Sequence, residues 1–162
     1  MKFIIGKGRC AMQQNDKKCT IEYIPGKPVL RLSEVVYFYL VYLVPKGRLT
    51  QYNDVIEYLK TKFGDYHIEL HRPLNVSWDY WCKFIDYVPF HRVVSSGGFI
   101  EPLNRDKLIS EGFELEEVKK QNRGWKIVNH KKYMFDFEKE TDVTLDYLKK
   151  INEEGDFEVS QN

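Results

Sequence analysis

Three cysteines, four histidines, 25 basic side chains and 24 aromatic ones carry the chemistry available to this 162-residue chain. A cysteine can be a nucleophile, a metal ligand or a disulfide partner, and each use has its own spacing. Cys10 and Cys19 have eight residues between them and no paired His or Cys at zinc-finger spacing nearby, so no metal site is expected there. The odd count argues against a disulfide framework and for a reducing, cytoplasmic setting. Cys82 lies on a stretch of helical periodicity with no histidine following it, so nothing adjacent would make its thiol anionic.

Charge narrows the partners. The formal net charge is +1, so affinity for a polyanion must come from local clusters and be salt-sensitive. The clusters are Lys46 with Arg48, Lys60 with Lys62, and Lys119, Lys120, Arg123 with Lys126; a solvated face is the ordinary alternative for each. Eleven tyrosines and ten phenylalanines fit an aromatic core or a surface that stacks on something flat. The first six residues are too short an apolar run for a signal peptide, and no stretch has membrane-spanning length. No cofactor is expected.

The elements that would position these groups follow from periodicity. Over 33–44 (SEVVYFYLVYLV), Ser33 suits an N-cap and Glu34 the first turn, while Val36, Tyr39, Leu40 and Leu43 recur at helical spacing. Pro45 and Gly47 stop this helix, whose apolar character on almost every side predicts burial. A second helix over 50–63 has Thr50 as its cap, Val55, Ile56, Leu59 and Phe63 on one face, and Gly64 at its end. Pro73 argues against helix through the next stretch. Trp78, Trp81, Cys82 and Ile85 then predict a helix over 77–87, with Tyr80, Phe84 and Tyr87 on a second aromatic face. Val93-Val94 and Phe99-Ile100 read as a small hairpin or wing around Ser95-Ser96-Gly97-Gly98. A short helix over 104–111, strands over 125–128 and 133–137, a helix over 142–151 and a frayed end complete the chain. The organisation expected is a lead-in of 1–28, a domain of 29–137, and a C-terminal helix and tail of 138–162.

Three stretches, in order, resemble the DNA-binding domain of the O6-alkylguanine-DNA alkyltransferases. VPKGRLTQYNDV (44–55) is similar to the segment opening their helix-turn-helix, VPFHRVVSSGGFI (88–100) to their proline-cysteine-His-Arg-Val-Val active-site sequence and glycine turn, and LISEGFEL (108–115) to their closing segment. The resemblance spans about 33–115. It implies an α+β, winged-helix-like fold (helix-turn-helix plus wing), here with added C-terminal strands and helix.

The family moves an alkyl group from guanine O6 to a cysteine thiolate, activated by a histidine that a carboxylate orients. His91 and Glu111 hold the latter two positions, but Phe90 stands where the cysteine would be, and a phenyl ring accepts no alkyl group. The resemblance is therefore to the alkyltransferase-like proteins, which implies a non-enzymatic protein binding alkylated double-stranded DNA by nucleotide flipping and presenting the lesion to a nucleotide-excision-repair protein. Tyr52 matches the tyrosine that crowds a phosphate; a helix-start tyrosine packed on the core is its alternative. Phe90 would wall the base pocket or simply fill the core. Ser95, Ser96 and Gly97 would border the pocket with backbone N–H groups, and His91, Arg92 and Glu111 would hold the loop. Arg72 is nearest in spacing to the arginine inserted into the base stack, although it precedes Pro73, which disfavours helix. A second reading is a winged-helix scaffold that binds a protein partner through its aromatic 76–87 face, or DNA without lesion specificity. A transferase acting through Cys82 is a third.

Overall fold

The computed structural model describes residues 9–11, 18–20, 29–64, 66–70, 87–119 and 124–159. Arg72, Cys82 and nearly all of the helix expected over 77–87 lie outside the described residues. An antiparallel pair of short strands, β1 (Arg9–Ala11) and β2 (Lys18–Thr20), comes first. The central unit runs β3 (Val29–Leu32), α1 (Glu34–Leu43), β4 (Thr50–Gln51), α2 (Tyr52–Phe63) and β5 (His67–Leu70). β3 and β5 pair in parallel from Val29 opposite His67 to Leu32 opposite Leu70. A parallel pair needs a crossover between its strands, and α1 and α2 lie within it.

Helix α1 is apolar on nearly every side because it is covered on nearly every side. Val36, Tyr37, Leu40 and Val41 are buried, and Val35, Phe38, Tyr39 and Leu43 pack partly buried against the same core. Ser33 holds the N-cap position without a side-chain cap bond; its backbone N–H donates to Asn152 Oδ1 at 2.6 Å. Helix α2 buries Val55, Tyr58, Leu59 and Phe63 and stops at Gly64. Thr50 is not its cap, as the sequence predicts, but a buried strand residue of β4, opposite Val93 of β6 (Val93–Val94).

The stretch expected as a hairpin or wing is not a two-stranded ladder of its own. β6 runs parallel to β4, while β7 (Phe99–Ile100) joins the three-stranded antiparallel order β7-β9-β8, formed with β8 (Leu115–Val118) and β9 (Gly124–Ile127). The two strands expected to pair with each other thus pair with separate, distant segments. A 3-10 turn at Pro102–Asn104 leads into α3 (Arg105–Ser110), and Leu108, Ile100, Phe113 and Ile127 form a second core around Leu49.

The strand expected over 133–137 is absent as such. His130–Tyr133 is a 3-10 turn, Met134 makes a single parallel bridge to Leu49, and α4 (Phe137–Glu140) begins directly afterwards. Leu49 donates to the Tyr133 carbonyl at 2.9 Å and accepts from Phe135 at 2.7 Å, so the C-terminal third is stitched to the α1–α2 connection. Arg48 completes the attachment through the Tyr133 and Met134 carbonyls and both Glu140 carboxylate oxygens. The last helix, α5 (Leu145–Glu154), is capped by the Thr144 hydroxyl and places Leu148 and Ile151 in the core shared with α1. The end is not simply frayed: Phe157 packs its ring on Tyr39, Tyr42 and Tyr87.

Candidate nucleic-acid interface

A two-rung parallel ladder aligns the site. Thr50 lies opposite Val93 and Gln51 opposite Val94, so the chain leaves both strands at the same end. One exit is Tyr52, the first residue of α2; the other is Ser95, which opens the serine-glycine turn. The amino end of a helix and a turn rich in backbone N–H groups therefore lie side by side, the arrangement to which an anion is attracted.

The turn is held from within. Gly98 donates to the Ser95 carbonyl at 2.8 Å, Ser95 donates to the Phe99 carbonyl at 3.1 Å, and the Ser95 hydroxyl accepts from the Phe99 N–H at 3.0 Å. Ser95 and Ser96 are exposed and Gly97 half-buried; the N–H groups of Ser96 and Gly97 make no hydrogen bond among the described residues. Gly98 has φ +79°, and a Cβ there would stand 2.5 Å from Nδ1 of the buried His130. Only glycine allows both that dihedral and that approach.

Just before β6 in the chain, three side chains named from the sequence meet. The Glu111 carboxylate lies 2.8 Å from His91 Nε2 and accepts from Arg92 Nε at 3.0 Å and Nη2 at 2.6 Å. It also accepts from the Gly47 N–H at 3.3 Å, and Arg92 Nη1 donates to the Val44 carbonyl at 2.6 Å. The end of α1, the α1–α2 connection, the 90–92 turn and the end of α3 are thereby tied at one point. Burial alone would raise the Glu111 pKa, but hydrogen bonds from Arg92, His91 and Gly47 outweigh it and hold the value at about 2. Burial pushes the His91 pKa down, and the Glu111 carboxylate offsets only part of that. His91 is thus neutral at neutral pH. An ionised Glu111 can only accept, so Nε2 carries the His91 proton and Nδ1 is left as an acceptor.

Phe90 begins the 3-10 turn Phe90–Arg92 and is 2% exposed. Its ring meets Phe38 edge-on at 5.1 Å; Phe38 meets Tyr37 at 6.4 Å, and Tyr37 meets Tyr52 at 5.6 Å. A continuous file of rings therefore runs from Tyr52, 38% exposed, to Phe90 in the core. Of the residues singled out from the sequence, Tyr52 follows β4 at the end where Ser95 follows β6, while His91, Arg92 and Glu111 are joined to one another by hydrogen bonds.

Lys120 and Arg123 lie outside the described residues, and most of the described members of the expected basic clusters are engaged elsewhere. Arg48 is bound to Glu140, Lys60 to Glu57 and Lys126 to Glu116, and Lys62 lies 3.8 Å from Glu138. Lys46 is exposed with no ion pair among the described residues. Lys131 and Lys132, which the sequence reading passed over, are exposed on the same 3-10 turn as His130, against Gly98. Asp54 works in the opposite sense: it sits in the first turn of α2, with its pKa raised by burial. Among the described residues, no group of three His, Cys, Asp or Glu side chains could hold a metal ion, and no helix is long and apolar enough to cross a membrane.

No protein-family model matches the chain, and no curated protein matches it. Among solved structures it is similar to the crystal structure of S. pombe Atl1 in complex with damaged DNA containing O6-carboxymethylguanine, at 20% identity and a TM-score of 0.39 over 62% of this chain and 91% of that one. At that identity and TM-score, neither family nor fold follows from the likeness.

Proposed function

We propose that this chain binds double-stranded DNA at the α2 amino end and the Ser95–Gly97 turn, as an alkyltransferase-like protein without alkyl transfer of its own. The observation that carries the reading is the common exit of β4 and β6, from which Tyr52 continues one strand and the Ser95–Gly97 turn the other. A phosphate there would accept from the Ser96 and Gly97 N–H groups, with Tyr52 against the sugar-phosphate backbone. Lys46, Lys131 and Lys132 supply the positive charge.

A modified guanine turned out of the stack would enter between Tyr52 and the turn, and Phe90 would form the floor. Phe90 is covered in the free chain, so base entry requires the Tyr37 and Phe38 rings to give way. The alkyl group would stay on the base, because neither Phe90 nor neutral His91 offers a thiolate. A lesion held and not repaired would be passed to a nucleotide-excision-repair protein.

The burial of Phe90 favours one competing reading, a scaffold that binds a protein partner or DNA without lesion specificity. Titration with duplex containing O6-methylguanine and with matched unmodified duplex, at low and moderate salt, separates the two. Tighter binding of the lesion, weakened by Tyr52→Ala, supports flipping. Equal binding leaves DNA contact without base selection, and no binding to either duplex leaves the protein partner.

A further inference from the structure

The β1–β2 register sets Arg9 opposite Thr20, Cys10 opposite Cys19 and Ala11 opposite Lys18. Two of the three cysteines in the chain are thus directly opposed across an antiparallel pair. Opposed residues in such a pair have Cα atoms roughly 4.5 Å apart when not hydrogen-bonded to each other and roughly 5.5 Å apart when they are. A disulfide spans Cα separations of about 4.4–6.8 Å, and the Cα spacing of either kind of opposed pair falls in that range. A spacing of eight intervening residues, unremarkable as a metal motif, becomes a cross-strand pair once the register is known.

We propose that Cys10 and Cys19 are a reversible redox pair that closes this hairpin. The oxidant is a small disulfide, with glutathione disulfide as the probe. One cysteine thiolate attacks it, forming a mixed disulfide and releasing one glutathione; the second thiolate attacks the protein sulfur of that mixed disulfide, forming the Sγ–Sγ bond and releasing the other. The two cysteines lose two electrons, the probe gains them, and the two thiol protons end on the two glutathiones. Two strands of three residues are marginal on their own, so the bond would decide whether this hairpin persists. Cys82 takes no part in this scheme, and an odd cysteine count is compatible with a local switch while arguing against a framework.

The full, reduced chain is equilibrated with glutathione buffers, free thiols are blocked with iodoacetamide, and tryptic peptides are examined by mass spectrometry. Cleavage after Arg9, Lys17 and Lys18, but not before Pro28, puts Cys10 on peptide 10–17 and Cys19 on peptide 19–31. The expected result is a 10–17/19–31 disulfide as the main oxidised product, with Cys82 alkylated. At equal glutathione ratio its equilibrium constant should exceed that of the urea-unfolded chain by about tenfold, which is about 30 mV in potential. A register control combines Cys19→Ser with Lys18→Cys, moving one thiol by a single position while keeping the loop short; it should lose most of the folded-state advantage. Glutathionylated but unlinked cysteines, a dominant disulfide through Cys82, no advantage over the unfolded chain, or equal pairing in the shifted variant would each overturn the proposal.

Discussion

His91 Nε2 lies 2.8 Å from a Glu111 carboxylate that also accepts from Arg92 and Gly47, and this carboxylate is an acid-sensitive joint of the fold. The sign follows from two depressed pKa values. The folded Glu111 pKa of about 2 lies below its ordinary 4.5, so its stabilisation is complete above the ordinary value and is lost as pH falls through about 2. His91, held below its ordinary 6.5, acts in the same direction: below that pH the unfolded chain takes up a proton that the folded chain refuses. Urea unfolding should therefore show stability falling from pH 7 to pH 3. Glu111→Gln should cost about 3 kcal/mol at pH 7, since Arg92 is left buried without its partner, and should flatten the acid limb. An unchanged limb in this variant would place the acid sensitivity elsewhere.

Phe90 is where core packing and chemistry can be separated. Removing a ring that is 2% exposed should cost about 3–5 kcal/mol in Phe90→Ala, and clearly less in Phe90→Leu, which refills much of the space. Neither variant, nor the wild type, should acquire label from duplex carrying radiolabelled O6-methylguanine. Label stably attached to the wild-type chain would refute the non-enzymatic reading, and Cys82→Ser would show whether that cysteine is the acceptor.

Tyr52 and Asp54 lie in the first turn of α2 and should act on DNA in opposite directions. Tyr52→Ala should weaken duplex binding by roughly tenfold to a hundredfold, with a stability change below about 1 kcal/mol because the side chain is 38% exposed. Asp54→Asn should strengthen binding, as it removes an anion from the helix end that would face phosphate. Lys131→Ala should reduce affinity for all sequences alike and lower the slope of log K against log salt by about 0.9. Fluorescence anisotropy across a salt series reads all three; an unchanged slope for Lys131→Ala would remove that lysine from the interface.

Which parts were legible in the sequence depends on how far apart the partners lie. Helices α1, α2 and α5 announce themselves because their apolar spacing is local, and Pro45 and Gly64 mark the ends of the first two; the last runs past the expected Ile151 to Glu154. The motif around His91 and the later Glu111 were also readable, but the Val44 carbonyl and Gly47 N–H that complete their network carry no side-chain signature. The pairing of Val93–Val94 was not readable: its partner is Thr50–Gln51, far upstream, while a glycine turn next to two short apolar pairs imitates a hairpin. Tyr133, Phe135 and Phe137 alternate as a strand would, yet only Met134 makes a bridge, because Leu49 engages this segment from one side and α4 starts immediately. Phe157, one aromatic in a polar tail, gave no periodic signal at all.

Gly98 links the Ser95–Gly98 turn to His130, and the link can be tested by a double-mutant cycle. Gly98→Ala faces two costs: a positive φ of 79° and a Cβ placed 2.5 Å from His130 Nδ1. A left-handed dihedral costs an L-residue about 1–2 kcal/mol, and the steric overlap adds to it, so a loss of about 3 kcal/mol is expected. His130→Ala alone should destabilise moderately by emptying a buried site. In the double variant the overlap is gone while the dihedral cost stays. The combined loss should therefore fall short of the sum of the single losses by about 1–2 kcal/mol, read from urea midpoints with m values held in common. Strict additivity would mean that the turn and the His130 ring do not share a contact, and would detach Lys131 and Lys132 from the site this turn borders.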